Sequence, residues 1–146
     1  MHDKDICDAT TMEVYEDESF HTIYVSHLLE HLVDPITAIK NWLRICKKGG
    51  VVFISVPHRD LYERKKTLPS KWNEDHKFFI LPDKNEAPCT FSIRHIIDDA
   101  ITIYVKETGK KLKAAFHLEV IDTSTNHDKP EEHANGEFSI ECIIYK

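Results

Sequence analysis

The sequence predicts an α/β domain in which a parallel strand-helix-strand unit is followed by a second helix and an antiparallel hairpin. Three observations predict this class. Residues 20–26 are β-branched and aromatic, which is typical of a strand. Residues 51–56 are apolar apart from Ser55, which is typical of a strand buried on both faces. A capped helix pattern lies between them, and strand, helix and strand with short connections form a right-handed parallel unit.

The first helix has clear start and stop signals. Asp34 is a good N-cap, and Pro35 is a good first helical residue. Lys47 and Lys48 suit the negative C-terminal end of a helix, and Gly49-Gly50 predicts its end in the left-handed conformation. Apolar residues recur at helical spacing between these signals: Ile36, Ile39, Trp42, Leu43 and Cys46.

The second helix has the clearest apolar stripe in the chain. Ser92 or Thr90 can cap its start, and Gly109 stands where a helix would stop. We therefore expect one face of this helix to be buried, and the stripe consists of Ile93, Ile96, Ile97, Ala100, Ile101, Tyr104 and Val105.

The other segments complete a single domain, residues 1–146. Residues 1–19 form an acidic leader. Residues 57–88 carry prolines, charges and aromatic side chains without clear periodicity, so we expect an ordered insertion. Residues 115–122 and 137–145 are alternating or apolar runs that predict the hairpin, and the polar residues 123–136 between them predict a long, mobile loop.

Composition excludes several classes of protein. The 146 residues are 41% hydrophobic and 30% charged, which is typical of a soluble globular domain. A net charge of −6 disfavours nucleic acid as a partner. No apolar run approaches the roughly 18 residues that a membrane-spanning helix needs, and the acidic N-terminus is not a signal peptide. Four scattered cysteines are expected to be reduced thiols of a cytoplasmic protein.

One short motif suggests zinc chemistry. His27-Leu-Leu-Glu-His31 matches the H-x-x-E-H pattern of inverzincin metalloproteases, in which two histidines on one helix face bind zinc and a glutamate activates water, here with Glu107 as a further candidate ligand. However, the pattern follows a strand, and Asp34-Pro35 soon starts a new helix. The sequence therefore favours a structural role, in which Glu30 and His31 cap and hydrogen-bond the turn. It assigns no metal ligand.

Three stretches carry a longer, ordered set of motifs: Asp17-Glu-Ser-Phe-His-Thr-Ile-Tyr-Val-Ser-His-Leu-Leu-Glu-His-Leu-Val-Asp-Pro35, Trp42-Leu-Arg-Ile-Cys-Lys-Lys-Gly-Gly50 and Val51-Val-Phe-Ile-Ser-Val-Pro57. This set resembles a known family, the class I S-adenosylmethionine-dependent methyltransferases. In that family a strand is followed by a Leu-Glu-His-Leu turn, an Asp-Pro helix start, an Arg-x-x-Lys-x-Gly-Gly joint and a strand that ends in Val-Pro. Cys7-Asp8-Ala9 also resembles the family's Asp-Ala step, some ten residues before the strand.

The resemblance implies a partial Rossmann-like fold, S-adenosylmethionine as cofactor and transfer of its methyl group to a small-molecule acceptor. It implies that Asp8 hydrogen-bonds the adenine amino group, that Ala9 contacts the ring, and that Ser26 and His27 flank the methionine portion. Only four glycines occur, and none precedes Gly49. The family's glycine-rich loop is thus missing, so we expect a truncated, C-terminal part of the domain.

The acceptor side is predicted to involve His58, Asp75 and His76. His58 follows a strand end, where open α/β sheets bind ligands, and imidazole titrates near neutral pH as a general base should. Asp75 and His76 are candidates to orient the acceptor or to accept a proton. The alternative is structural: His58 caps the loop, and Asp75-His76 hold the insertion in place.

Two hypotheses for the whole chain stay open, an active methyltransferase and a non-catalytic module that self-associates. Without the family's first strand, residues 22–26 should expose unpaired backbone N–H and C=O groups beside uncovered apolar area. We therefore expect a homodimer in which this strand pairs antiparallel with its own copy. Alternatively, residues 1–9 fold back over the edge.

Overall fold

The computed structural model describes residues 7–112, 116–122 and 138–146. A short 3-10 turn, Leu29–His31, and a π-helical turn, Arg59–Glu63, connect the main elements. No helix in these ranges is both long and apolar enough to cross a membrane. The elements are β1 (Phe20–Ser26), α1 (Pro35–Ile45), β2 (Cys46–Pro57), β3 (Phe79–Leu81), β4 (Thr90–Ser92), α2 (Ile93–Thr108), β5 (Phe116–Asp122) and β6 (Phe138–Tyr145).

The main sheet has the strand order β1-β2-β6-β5. β1 and β2 are parallel, with Tyr24 opposite Phe53, whereas β2, β6 and β5 pair antiparallel. This arrangement confirms the predicted parallel unit and the C-terminal hairpin. The loop predicted to be mobile, residues 123–136, lies outside the described residues. β3 and β4 form a separate two-stranded parallel sheet.

One face of the main sheet carries the hydrophobic core. Along β1, Ile23 and Val25 are buried, while Tyr24 between them is 69% exposed. The buried residues of β1, β2 and β6 pack in one cluster with those of α1 and α2. On the opposite face of the sheet, the exposed ring of Tyr24 stacks on the ring of Phe53, with 5.2 Å between ring centroids.

The helix signals in the sequence are confirmed at three of the four helix ends. Asp34 Oδ1 accepts a hydrogen bond from the backbone N–H of Thr37 at 3.0 Å and caps α1. Of the two candidate caps for α2, Ser92 is the one used, because its Oγ accepts from the N–H of His95 at 3.2 Å. Gly109 ends α2 in the left-handed conformation, with φ +66°.

The prediction that Gly49-Gly50 ends α1 is wrong. α1 ends at Ile45, and Cys46 already pairs with Phe20 as the first residue of β2. The C-terminal residue holds this segment extended, because Lys146 Nζ donates to the carbonyl of Cys46 at 2.6 Å. The pairing with β1 and the contact with Lys146 therefore keep Cys46 in a strand, although its spacing in the sequence is helical.

Alanine at Gly50 is expected to destabilise the fold more than alanine at Gly49. Gly49 has φ +80° with open space around its α-carbon, so a side chain there costs about 1 kcal/mol of conformational energy. A Cβ at Gly50 would collide with the carbonyl of His21 and lie 2.9 Å from Cys46 Sγ and from the carbonyl of Lys47, so β1 and β2 would have to separate.

Urea unfolding of Gly49→Ala and Gly50→Ala tests this order. Gly136→Ala, at a residue outside the described ranges, is the sequence-based control and should change the midpoint least. Equal midpoints for all three variants would contradict the backbone assignments.

The described part of the acidic leader is docked on α1. The indole N–H of Trp42 donates to the carbonyl of Ala9 at 2.9 Å. Arg44 Nη1 donates to the carbonyl of Tyr15 and to Asp17 Oδ1, each at 2.9 Å. α1 therefore fixes the position of the turn that follows Cys7.

Candidate functional site

The carboxyl end of β1 turns sharply into the interior. The N–H of His27 donates to the carbonyl of Ser55 on β2 at 2.9 Å, which extends the parallel pairing by one residue. His27 then adopts φ +49°, an uncommon conformation for a residue with a side chain. The following turn, Leu29–His31, places Glu30 in the protein interior.

Glu30 lies at the centre of three histidines. From its Oε1, His27 Nδ1 is 3.7 Å away, His76 Nε2 is 3.8 Å away and His31 Nε2 is 3.9 Å away. The Glu30 side chain is only 1% exposed, and neither carboxylate oxygen has a hydrogen-bond partner among the described residues. Burial raises the pKa of this carboxyl to about 7.

A second buried carboxylate orients His76. This carboxylate belongs to Glu63, whose Oε1 contacts Nδ1 of His76. The hydroxyl of Ser70 donates to the other carboxylate oxygen, Glu63 Oε2. Ser70 Oγ also accepts from the N–H groups of Trp72 and Asn73, each at 3.2 Å. The loop after β2 thus fixes the His76 ring, and Nε2 faces Glu30.

The histidines from the β1 end are biased towards the neutral form. Burial, followed by the nearby His76, lowers the pKa of both His27 and His31 below the ordinary value. A neutral imidazole keeps a lone pair on one ring nitrogen, which can accept a proton or bind a metal ion. The cluster therefore offers nitrogen and carboxylate donors in a buried setting.

The structure brings only some of the predicted site residues into this cluster. His27 and His76 belong to it, and Ser26 directly precedes it at the end of β1. His58 Nδ1 instead accepts from the N–H groups of Asp60 at 3.1 Å and Leu61 at 3.4 Å, which caps the π-helical turn. Its role as a general base stays a prediction.

Asp75 and the adenine-side residues occupy exposed turns. The N–H of Asp75 donates to Asn73 Oδ1 at 3.0 Å, directly before His76. Asp8 is exposed, its Oδ1 accepts from the N–H of Thr10 at 2.7 Å, and the neighbouring Ala9 is fixed through its carbonyl. The roles of Asp75, Asp8 and Ala9 in binding stay predictions.

Sequence reasoning missed or misjudged three members of the site. The expectation that Glu30 caps its turn is wrong, since its carboxylate makes no hydrogen bond among the described residues. Glu63 was not singled out, and Ser70 was predicted only as part of the insertion, with no role of its own. No local signal marks them, because they reach the cluster through the irregular segment between β2 and β3.

Comparison with solved structures shows the same fold in known methyltransferases. A SAM-dependent methyltransferase from Thermotoga maritima is 18% identical, with a TM-score of 0.56 over 96% of this chain and 62% of that one. One from Mesorhizobium loti is 12% identical, with a TM-score of 0.55 over 96% and 67%. One from Archaeoglobus fulgidus is 14% identical, with a TM-score of 0.51 over 96% and 66%.

The chain spans less than two thirds of the first two structures that it matches. No curated protein matches it. The sequence profile of a methyltransferase domain family matches residues 2–98, which is more than half of the chain. Together with the shared fold, this match means that the chain belongs to this methyltransferase domain family.

Proposed function

We propose that this chain serves methyl transfer from S-adenosylmethionine to a small-molecule acceptor at the carboxyl ends of β1 and β2. The observation that carries the proposal is the family match, which covers the whole β1-α1-β2 unit. Ser26 and His27 lie at the carboxyl end of β1, and His58 follows the carboxyl end of β2. Ligands of open α/β sheets bind outside the carboxyl ends of the strands.

The adenine end of the cofactor fits the turn after Cys7. Asp8 presents an exposed carboxylate, while Trp42 and Asn41 hold the carbonyls of Ala9 and Thr10, each at 2.9 Å. Because the backbone beside it is held in place, the exposed Asp8 carboxylate could accept a hydrogen bond from the adenine amino group. The methionine end would lie against Ser26 and His27, and the sequence offers no glycine-rich loop to enclose it.

The chain's own contribution to catalysis would be to position the acceptor. The cofactor supplies an electrophilic methyl group, and such reactions depend mainly on alignment of the nucleophile. Asp75 and His76 lie on the segment that closes over the β1 end, so we assign them to acceptor orientation or proton acceptance. His58 is assigned to the same side as a base.

A calorimetric titration of the chain with S-adenosylhomocysteine tests the proposal. Micromolar binding supports a methyltransferase site. If no heat of binding is detected at millimolar S-adenosylhomocysteine, the result favours the second candidate, a non-catalytic module that self-associates. Two observations favour that module: the given sequence contains no glycine-rich loop, and among the described residues β1 pairs with β2 alone.

Asp8→Ala is expected to weaken binding of S-adenosylhomocysteine by about 1–2 kcal/mol, the scale of one lost hydrogen bond to a charged group. The same titration measures it. Asp99→Ala, which removes an exposed carboxylate from α2, is the matched control and should leave the dissociation constant unchanged. An unaltered dissociation constant in Asp8→Ala would remove Asp8 from the site.

We also infer a cytoplasmic location and no nucleic-acid partner. All four cysteines are free thiols, and three of them are buried, which suits a reducing compartment. The net charge of −6 gives the chain as a whole no electrostatic attraction to phosphate backbones.

A further inference from the structure

The Glu30 cluster has the spacing of a set of metal ligands. Glu30, His31 and His76 each offer a ligand atom, and these atoms all lie within 4.8 Å of one another. The separations from Glu30 Oε1 to the two imidazole Nε2 atoms, 3.8 and 3.9 Å, are too long for hydrogen bonds. Two atoms that each lie about 2.0–2.3 Å from one ion are at most about 4.6 Å apart, so these separations fit a shared ion.

Glu30 also needs a partner that the described residues do not provide. Its side chain is 1% exposed, and both carboxylate oxygens lack a hydrogen bond. A buried carboxylate without a partner is costly, and proteins normally pair such groups or bind a metal with them. Nε2 of the neighbouring His27 is likewise buried without a hydrogen-bond partner among the described residues.

The support of His76 is the kind that metal-binding histidines have. Glu63 contacts Nδ1, and Ser70 in turn donates to Glu63. An Nδ1–H that donates to a carboxylate leaves the lone pair on Nε2, which here faces Glu30. The interaction between this lone pair and the Glu30 carboxylate is repulsive unless a proton or a metal ion lies between them. Carboxylate–histidine–metal triads have this arrangement.

We propose that Glu30, His31 and His76 bind one divalent transition-metal ion of the Zn²⁺ or Mn²⁺ type, with Glu63 and Ser70 as its outer support. Two imidazoles and one carboxylate suit such ions, whereas Ca²⁺ and Mg²⁺ prefer oxygen ligands. The set differs from the H-x-x-E-H expectation, because His76 from the segment after β2 replaces His27. Three protein ligands leave a position open for a further ligand.

The inference concerns the ion alone and holds whether or not the chain transfers methyl groups. It is tested on the purified chain after chelator treatment and removal of the chelator, by calorimetric titration with ZnCl₂ and, separately, with MnCl₂. We expect one site per chain and a rise in the thermal midpoint when the ion is present, since an ion that binds the folded state stabilises it.

Variants identify the ligands. Glu30→Gln and His31→Ala should each abolish the stoichiometric site, and Glu63→Gln should weaken it by about 10- to 100-fold, as expected for outer support. His117→Ala removes an exposed histidine on β5 and should bind like the parent chain. His31 is partly exposed, so its variant tests the site even where Glu30→Gln fails to fold.

Two outcomes overturn the proposal. One is the absence of binding at millimolar zinc and manganese by a chain that circular dichroism shows to be folded. The other is binding that survives in folded His31→Ala or Glu30→Gln, because the ion would then sit on other histidines of the ten in the chain.

Discussion

Trp42→Ala is expected to lower the free energy of unfolding by about 3–5 kcal/mol, the range for removal of a large aromatic side chain from a packed core. Trp42 is fully buried in α1, within the cluster that joins both helices to the main sheet. Its indole N–H also holds the carbonyl of Ala9 at 2.9 Å. The substitution therefore leaves a cavity and releases the turn that carries Asp8.

Urea unfolding followed by far-ultraviolet circular dichroism measures the loss. Trp42→Phe keeps an aromatic ring but loses the hydrogen bond, so a smaller decrease is expected. Trp72→Ala is the comparison on the segment after β2, where the indole is only partly buried and donates to the carbonyl of Tyr62 at 2.9 Å. A Trp42→Ala effect no larger than that of Trp72→Ala would contradict this account of the core.

Local signals account for the parts of the fold that the sequence predicts well. A run of β-branched and aromatic residues marks β1 at Phe20–Ser26, and short polar side chains cap both helices where expected. These signals act over a few residues, so they are visible in the chain itself. The start of β2 is different, because Lys146 and the pairing with β1 determine it.

The candidate site depends on contacts that are distant in sequence. Glu30 stands in a recognisable motif, yet its burial follows from the backbone turn at His27 and from the segment that brings His76 to it. That segment has no periodicity that predicts which of its polar residues face inward. His76 was predicted as an acceptor-side residue, and its contact with Glu63 could be found only in three dimensions.

A second large effect is expected from the free edge of β1. Among the described residues, β1 pairs with β2 alone, so its other side carries backbone groups without strand partners. Beside this edge, Tyr24 is 69% exposed and Phe20 is 37% exposed. Exposed apolar edges pair with other strands, and two copies can close the pairing by two-fold symmetry. We therefore expect a homodimer with antiparallel β1 strands.

Light scattering on the purified chain at tens of micromolar should give twice the mass of one chain. The leader does not compete for the edge from Ala9 onward, because Trp42 holds that carbonyl on α1.

Tyr24→Pro should yield monomers or unfolded chains, since proline removes a backbone donor and fits poorly within a paired strand. Tyr24→Thr keeps that donor and a side chain suited to strands, so it should remain dimeric if backbone pairing holds the two copies together. A monodisperse monomer of the parent chain would refute the dimer, whereas monomers from Tyr24→Thr as well as Tyr24→Pro would assign the association to the exposed aromatic face.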